Sequence, residues 1–530
     1  MKRVLFLLAS LVFAFPAQAD WYAAESDHFV VYADDRWQDV QEFGEALERY
    51  HAALNVLNLR EDTKPSPSNR VTIFVVGSEH KVRKLLGEGA KNVAGFYFSR
   101  AGASRAFVPD IRMHKRRTDF SVTILLHEYA HHYLMSNSPY ALPRWVNEGA
   151  AEFYASAKFE KDGGISIGGP ASHRAGELFH AKDVSVRELI DPELYRKNRS
   201  KRYDAFYGRA WLLYHYLYFA EDRRGQLGQY LVAIARGTDQ VEAANRAFGD
   251  FDELQKDLDR YLRQRRMKVW NLGADALQTA PVRVRELSEG EGEVMPFRIR
   301  LQRGVTREEA LELLPDVREV ADEFPDDPAV LATLAEAEFD AGNYDRAIVA
   351  ADAALAIDPA VKNALIQKGY ALFAKAEDAE DPDAAYGAAM QPFSVLNRLE
   401  QDHPIPLIYY YRSFAERGVE PNETARHALE RASQLALFDR GLAMNKGLMQ
   451  ASEGKIAIAR SSLAPVAANP HGGELAKVAQ RYLDQLAKVA EGTRWHPGPT
   501  IDPTATLKAI ANDIADDTDD EDEGGERASS

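Results

Sequence analysis

The sequence predicts an α+β domain, then an all-α stack of helical hairpins, then a disordered acidic tail. Three observations predict this. Up to about residue 270, short β-branched and aromatic runs alternate with stretches of helical periodicity. From about residue 305, alanine becomes abundant and apolar positions recur as paired helices with turns between them. Residues 501–530 carry ten acidic side chains against Lys508 and Arg527, half of the net charge of −16.

At 530 residues the chain is too long for one ordinary domain, and 45% hydrophobic residues suffice for a large core. Outside the tail the charge is only mildly acidic, which argues against nucleic acid as a partner. There is no cysteine, so disulfides are excluded and any transition metal must be held by His, Asp or Glu. Residues 1–19 read as a signal peptide: Lys2 and Arg3, an apolar run from Val4 to Phe15, and Ala17-Gln18-Ala19 as the cleavage site. That implies a periplasmic or secreted protein, cleaved after Ala19, with no transmembrane segment in the mature chain. The expected divisions are 20–270 for the α+β domain, 271–304 for a connector, 305–490 for the repeats and 491–530 for the tail.

In chain order, "HFVVYA" reads as a strand, Trp37 to Leu59 as a helix and "VTIFVVG" as a buried strand. Glu79 to Leu86 is a short helix, and "AGFYFS" and "SRAFVP" form two strands around a turn at Arg100 to Ala103. Helices follow over about Asp119 to Met135 and from Pro143 to Lys158, and "AFYGRAWLLYHYLYF" is apolar and helical. In the connector, "VRVREL" and "MPFRIRL" suggest a β hairpin.

The stretch Pro328 to Pro359 places Leu334, Ala335, Gly342, Tyr344, Ala347, Ala354, Leu355 and Pro359 at the spacings of a tetratricopeptide repeat, which it resembles. Small residues let two helices approach, and Gly342 falls in the turn. Further hairpins are expected at about 361–400, 405–437 and 439–469, with a capping helix at 472–490. The resemblance implies a protein partner bound by the repeats.

The chemistry concentrates in "TILLHEYAHHYLM". His127-Glu128-Tyr129-Ala130-His131 is an HExxH motif, and on a helix residues four apart share one face. Both imidazoles can reach one zinc ion, with Glu128 placed to take a proton from water. His132 points about 100° away and reads as structural. Downstream, "RWVNEGAAEFYA" offers Glu148 and, one turn later, Glu152 on one helix face; an exposed acidic face is the other reading of that pair.

With these residues the sequence resembles the glutamate-zincin metallopeptidases, in particular their peptidase MA-like group. The resemblance implies a zincin-like fold over about 20–270, Zn²⁺ as cofactor, and metal ligands His127, His131 and Glu148. It implies Glu152 as the group orienting a ligand histidine, and hydrolysis of peptide or protein substrates by zinc-activated water with Glu128 as general base. It further implies an oxyanion-stabilising tyrosine at the start of a long apolar helix. Tyr207 in "FYGRAWLL" is the best match, although Tyr203, Tyr214 and Tyr216 are near. The family's edge strand corresponds to "AGFYFS" or "SRAFVP". The chain has no "GAMEN"-like stretch ahead of the motif, which favours an endopeptidase over an aminopeptidase. The basic stretches "RMHKRR" and "RKNRSKR" are candidates for the rim of the cleft, or ordinary solvated loops. The alternative function is a protein-interaction scaffold in which the repeats act and the zincin domain is inactive or structural.

Overall fold

The computed structural model describes residues 21–87, 93–112, 119–199, 203–470 and 472–497. The expected signal peptide, nearly all of "RMHKRR", the end of "RKNRSKR" and almost all of the acidic tail lie outside the described residues.

The strands among the described residues are β1 (Trp21–Glu25), β2 (Phe29–Asp34), β3 (Val71–Val75), β4 (Phe96–Phe98), β5 (Arg105–Val108), β6 (Lys158–Phe159), β7 (Ile165–Ile167), β8 (Trp270–Leu272) and β9 (Arg283–Glu286). Six of them form one mixed sheet in the order β4-β5-β3-β2-β1-β9. The central pairs β2–β3 and β3–β5 are parallel, and the outer pairs are antiparallel. The other three form a small antiparallel sheet.

Alternation along the strands separates two apolar faces. Val31, Ala33, Ile73, Val75, Ala106 and Val108 face the larger core, while Val30, Tyr32, Phe74 and Phe107 face the other side. The larger core is covered by α1 (Trp37–Leu57) and by the motif-bearing helices described below. The opposite face is covered by α2 (Glu79–Leu86) and by a helix at residues 289–303.

The helices carrying the HExxH and NEG stretches are α3 (Phe120–Ser136) and α4 (Arg144–Ala155). They are followed by three short helices, α5 (Ala175–His180), α6 (Val186–Ile190) and α7 (Pro192–Asn198), then by α8 (Phe206–Phe219). Helices α9 (Gln226–Ala235), α10 (Gln240–Phe248) and α11 (Phe251–Leu262) complete this part. Gly149 lets α4 and α8 meet: a Cβ there would stand 2.4 Å from the Ala210 carbonyl oxygen.

The connector differs from the expected hairpin. Strand β9 pairs with β1, not with residues 295–301, and Tyr22 lies opposite Glu286. "MPFRIRL" instead belongs to α12 (Glu289–Arg303), which starts in a capping box between Ser288 and Glu291. Met295 and Ile299, four apart, lie on one face of that helix and pack under the sheet, while Val294 and Leu301 pack against the helices that follow. The helical period therefore outweighs the apparent strand alternation.

Helices α13 (Arg307–Glu323), α14 (Pro328–Asp340), α15 (Tyr344–Ile357), α16 (Lys362–Ala376), α17 (Pro382–Leu399), α18 (Pro404–Ala415), α19 (Glu423–Leu435), α20 (Arg440–Ser452), α21 (Ile456–Ala467) and α22 (Gly473–Leu486) form a stack of antiparallel hairpins. These match the expected hairpins, and α12–α13 add one more ahead of them. Gly342 turns the chain between α14 and α15 at φ +80°. Alanines 332, 335, 350, 351, 354 and 364 are buried where α14, α15 and α16 meet.

The stack also touches the α+β domain. Ser68 N–H donates to Glu400 Oε1 at 2.9 Å, Asn69 Nδ2 to the Leu435 carbonyl at 2.9 Å, and Ala101 N–H to Asp439 Oδ2 at 2.9 Å. Among the described residues no helix is long and apolar enough to cross a membrane.

Candidate metal centre

Helix α3 carries His127, Glu128 and His131, and α4 carries Asn147, Glu148 and Glu152. Pro143 stands just before α4 with φ −55° and starts it. The two helices pack together inside the larger core, so side chains at i and i+4 on each point into one buried seam.

The His127 and His131 Nε2 atoms lie 3.0 Å apart. Glu148 Oε2 is 3.5 Å from the first and 3.4 Å from the second. All three residues are buried, Glu148 completely. A tetrahedral zinc site with nitrogen and oxygen ligands at about 2.0–2.2 Å has ligand–ligand edges of about 3.4 Å. The observed triangle has that size.

An oxygen lies on the far side of each imidazole, hydrogen-bonded to His131 and within ion-pair distance of His127. His131 Nδ1 is 3.1 Å from Asn147 Oδ1, and His127 Nδ1 is 3.4 Å from Glu152 Oε1. Donation from His131 Nδ1 to Asn147 leaves its Nε2 as a lone pair facing the other ring and the Glu148 carboxylate. A lone pair and a carboxylate converging in a dry seam repel one another unless a cation lies between them. The donor set thus fits a zinc ion, and the residues present suit the group that the sequence motif implies.

Glu152 has more partners than the sequence pattern suggests. His173 Nε2 lies 2.5 Å from its Oε2, and Arg174 Nε donates to Oε1 at 2.7 Å. Burial pushes the Glu152 carboxyl up, but Arg174, His173 and His127 together outweigh burial and hold it far below the usual range. Arg174 continues to Glu177 at 3.0 Å. Nothing in the sequence period picks out His173 and Arg174, which sit in a short 3₁₀ turn before α5. Asn147 is visible in the sequence only as a neighbour of Glu148.

Glu128 is half-buried on α3 beside the ligand seam, on a helix that contacts β4. Burial raises the Tyr97 phenol, and the charge of Glu128 adds to it; Tyr97 lies on β4, which α3 contacts. Strand β4 is the terminal strand of the sheet, as the sequence leads one to expect for "AGFYFS".

Tyr207, at the start of α8, is buried, and the Arg174 guanidinium lies over its ring at 4.7 Å. The structure therefore joins Tyr207 to the Glu152 network. The neighbouring tyrosines have other partners: Tyr203 donates to Glu177 at 2.6 Å, Tyr214 packs against Tyr154, and Arg223 lies over Tyr216. His132 is structural, as its direction on the helix implies. Tyr97 OH is hydrogen-bonded to its Nδ1 at 2.6 Å, its ring meets Phe438 at 4.5 Å, and burial pushes its imidazole down to about 3.

No protein-family model matches the sequence, and no curated protein matches it. Solved structures similar to part of the chain include a thermophilic TPR protein, TTC0263, from Thermus thermophilus, at 16% identity and a TM-score of 0.29; the match covers 37% of this chain and 95% of that one. MamA from Desulfovibrio magneticus RS-1, residues 41 to the end, matches at 17% identity and a TM-score of 0.25, over 37% of this chain and 94% of that one. A MamA RS-1 double mutant matches at 18% identity and a TM-score of 0.27, over 36% and 97%. The stacked-hairpin architecture rests on the helices described above and not on these likenesses.

Proposed function

We propose that this chain is an exported zinc-dependent metallopeptidase whose helical stack binds a protein partner or the substrate. The observation that supports the reading most is the convergence of His127 Nε2, His131 Nε2 and Glu148 Oε2 within 3.0–3.5 Å, with Glu128 on the same helix. His127, His131 and Glu148 would hold the zinc, which when bound supplies a Lewis acid for the scissile carbonyl and for water.

The protein's own groups do the rest. Glu152 and Asn147 fix the tautomers and ring planes of the two histidines. Glu128 takes a proton from the attacking water and passes it to the leaving amine. Tyr207 is proposed as the donor to the oxyanion, on the grounds of its place at the start of α8 and its link through Arg174 to Glu152. An extended peptide can add to the terminal strand β4 and run past Glu128. The sequence has no "GAMEN"-like stretch ahead of the motif, which favours an endopeptidase over an aminopeptidase. The apolar start of the sequence supports export to a periplasm.

A direct test is zinc content of the purified chain beside a Glu148→Ala variant, followed by peptide-library cleavage with Glu128→Gln as control. About one zinc lost in the variant, with cleavage abolished by Glu128→Gln, is the expected result. Cleavage unchanged by Glu128→Gln overturns the mechanism.

The stack of hairpins from α12 to α22 favours a second reading, a protein-interaction scaffold in which the zincin-like domain is inactive or structural. It predicts zinc bound at the same residues with no peptide cleaved by the wild type.

A further inference from the structure

A second group of ligand-type side chains lies away from the HExxH motif. His28 stands at the start of β2, Glu48 and His51 one turn apart on α1, and Asp62 in the loop that follows α1. We propose that His28, His51 and Asp62 form a second binding site for a divalent transition-metal ion of the zinc class, independent of the catalytic reading above.

The geometry parallels the motif site. His28 Nε2 is 3.2 Å from Asp62 Oδ1, and His51 Nε2 is 3.0 Å from the same oxygen. Both edges are shorter than the about 3.4 Å between ligands of a tetrahedral zinc, so the cluster would open slightly around an ion. Both Nε2 atoms meet the same Asp62 oxygen; the imidazoles are stacked with centroids 3.7 Å apart, so one ring swings away from the other when both hold one ion.

The opposite nitrogen of each ring is anchored by a buried oxygen. Glu48 Oε2 is 2.9 Å from His28 Nδ1, while Glu48 Oε1 accepts the His28 backbone N–H at 3.0 Å. The Tyr129 hydroxyl is 2.7 Å from His51 Nδ1. A carboxylate or hydroxyl on the outer nitrogen is how a ligating imidazole is oriented. Asn55 Nδ2 lies 3.1 Å from Asp62 Oδ1 and 3.0 Å from His51 Nε2, so an ion takes the place of its contact with the histidine and leaves the one with Asp62.

An independent observation points to a ligand. His28 Nε2 is buried and makes no well-aligned hydrogen bond among the described residues, although His28 is 4% exposed and aimed into the cluster. A buried imidazole nitrogen without such a bond carries a cost that a metal ion removes. Asp62 lies at the surface, so the site has an entry path and room for water as a fourth ligand. Two nitrogens and one carboxylate oxygen suit zinc, cobalt or nickel better than calcium or magnesium.

The occupant would tie together the start of β2, α1 and its following loop. Through Tyr129, the residue after Glu128, it would also brace the helix that carries the motif. The role is stabilisation of that helix's setting, since none of the three ligands lies at the HExxH seam.

The test uses the full chain, stripped with chelator and reloaded with zinc, then desalted. Zinc per chain and the zinc-induced rise in Tm are measured for wild type, Glu148→Gln, Asp62→Asn and the double variant. Asp62 is a surface residue, so its substitution leaves the fold intact, which near-ultraviolet dichroism checks. Two zinc ions in the wild type, one in each single variant and none in the double variant are expected. The zinc-induced Tm rise of Glu148→Gln should disappear in the double variant. One zinc in the wild type that Asp62→Asn retains and Glu148→Gln loses overturns the second site and leaves the motif site standing. One zinc that Glu148→Gln retains and Asp62→Asn loses supports the second site and defeats the first. No zinc in any of them defeats both, and leaves His28 as an ion-pair bridge between Glu48 and Asp62.

Discussion

The Nε2 atoms of His127 and His131 face each other at 3.0 Å, with Glu148 closing the triangle. Replacing Glu148 by Gln removes the one anionic member of the proposed ligand set while keeping the shape. Zinc affinity at this site should fall by at least tenfold, read by competition with a chromophoric chelator. Glu128→Gln should leave that affinity within a factor of about three. It should lower kcat for peptide cleavage by roughly 10²–10⁴, the range of a lost general base. Equal zinc losses in both variants would contradict the division of roles.

Glu152 holds His173, Arg174 and His127 at once. Glu152→Ala takes one of two carboxylates from the buried Arg174 guanidinium, leaving Glu177, and should destabilise the protein by about 3 kcal/mol in urea unfolding. Glu152→Gln keeps the hydrogen bonding but not the charge, and should weaken zinc binding by about 10–100-fold through the loosened His127 ring. A Gln variant with wild-type zinc affinity would show that Glu152 serves Arg174 and not the metal ligand.

Gly149 has no room for a side chain, because a Cβ would sit 2.4 Å from the Ala210 carbonyl oxygen and 3.0 Å from the Tyr214 Cβ. Gly149→Ala should force α4 away from α8 and cost about 1–3 kcal/mol. Helix propensity alone predicts the opposite sign, a gain of up to about 1 kcal/mol. Thermal unfolding decides between them.

His215 is fully buried; one ring nitrogen donates to the Gly168 carbonyl at 2.9 Å and the other accepts from Tyr261 OH at 2.9 Å. Burial pushes its imidazole down to about 4. The unfolded chain takes up a proton near pH 6.5, which the folded chain resists until about pH 4. Stability from this group is therefore complete above pH 6.5 and is lost as the pH falls toward 4. Between pH 7 and pH 5 the loss is about 2 kcal/mol. Urea unfolding of wild type and His215→Gln at both values should show a shallower pH slope in the variant.

Much of this architecture is legible in the sequence because its signals are local. The HExxH spacing and the Asn147-Glu148-Gly149 stretch lie on single helices, where period and partner are set by the chain itself. The hairpins from residue 328 onward are legible for the same reason: each buries small residues against its nearest neighbour. What is not legible depends on distant partners. Strand β1, "WYAAE", has little β-branching and exists because β2 and β9 flank it. The segment 295–301 looks like a strand by alternation, but a capping box and the apolar underside of the sheet make it a helix. His173 and Arg174 reach Glu152 from a turn that carries no period.

Strand β1 begins at residue 21, and its outer neighbour β9 ends at residue 286. During synthesis or export, N-terminus first, the sheet therefore waits with one raw border until some 260 further residues have emerged. The helix at 289–303 then roofs Val30, Tyr32 and Phe74. A gene fragment stopped near residue 270 would make a sticky, half-roofed product. One carried through residue 303 would close the sheet, so the natural unit for dissection is longer than the boundary that composition suggests.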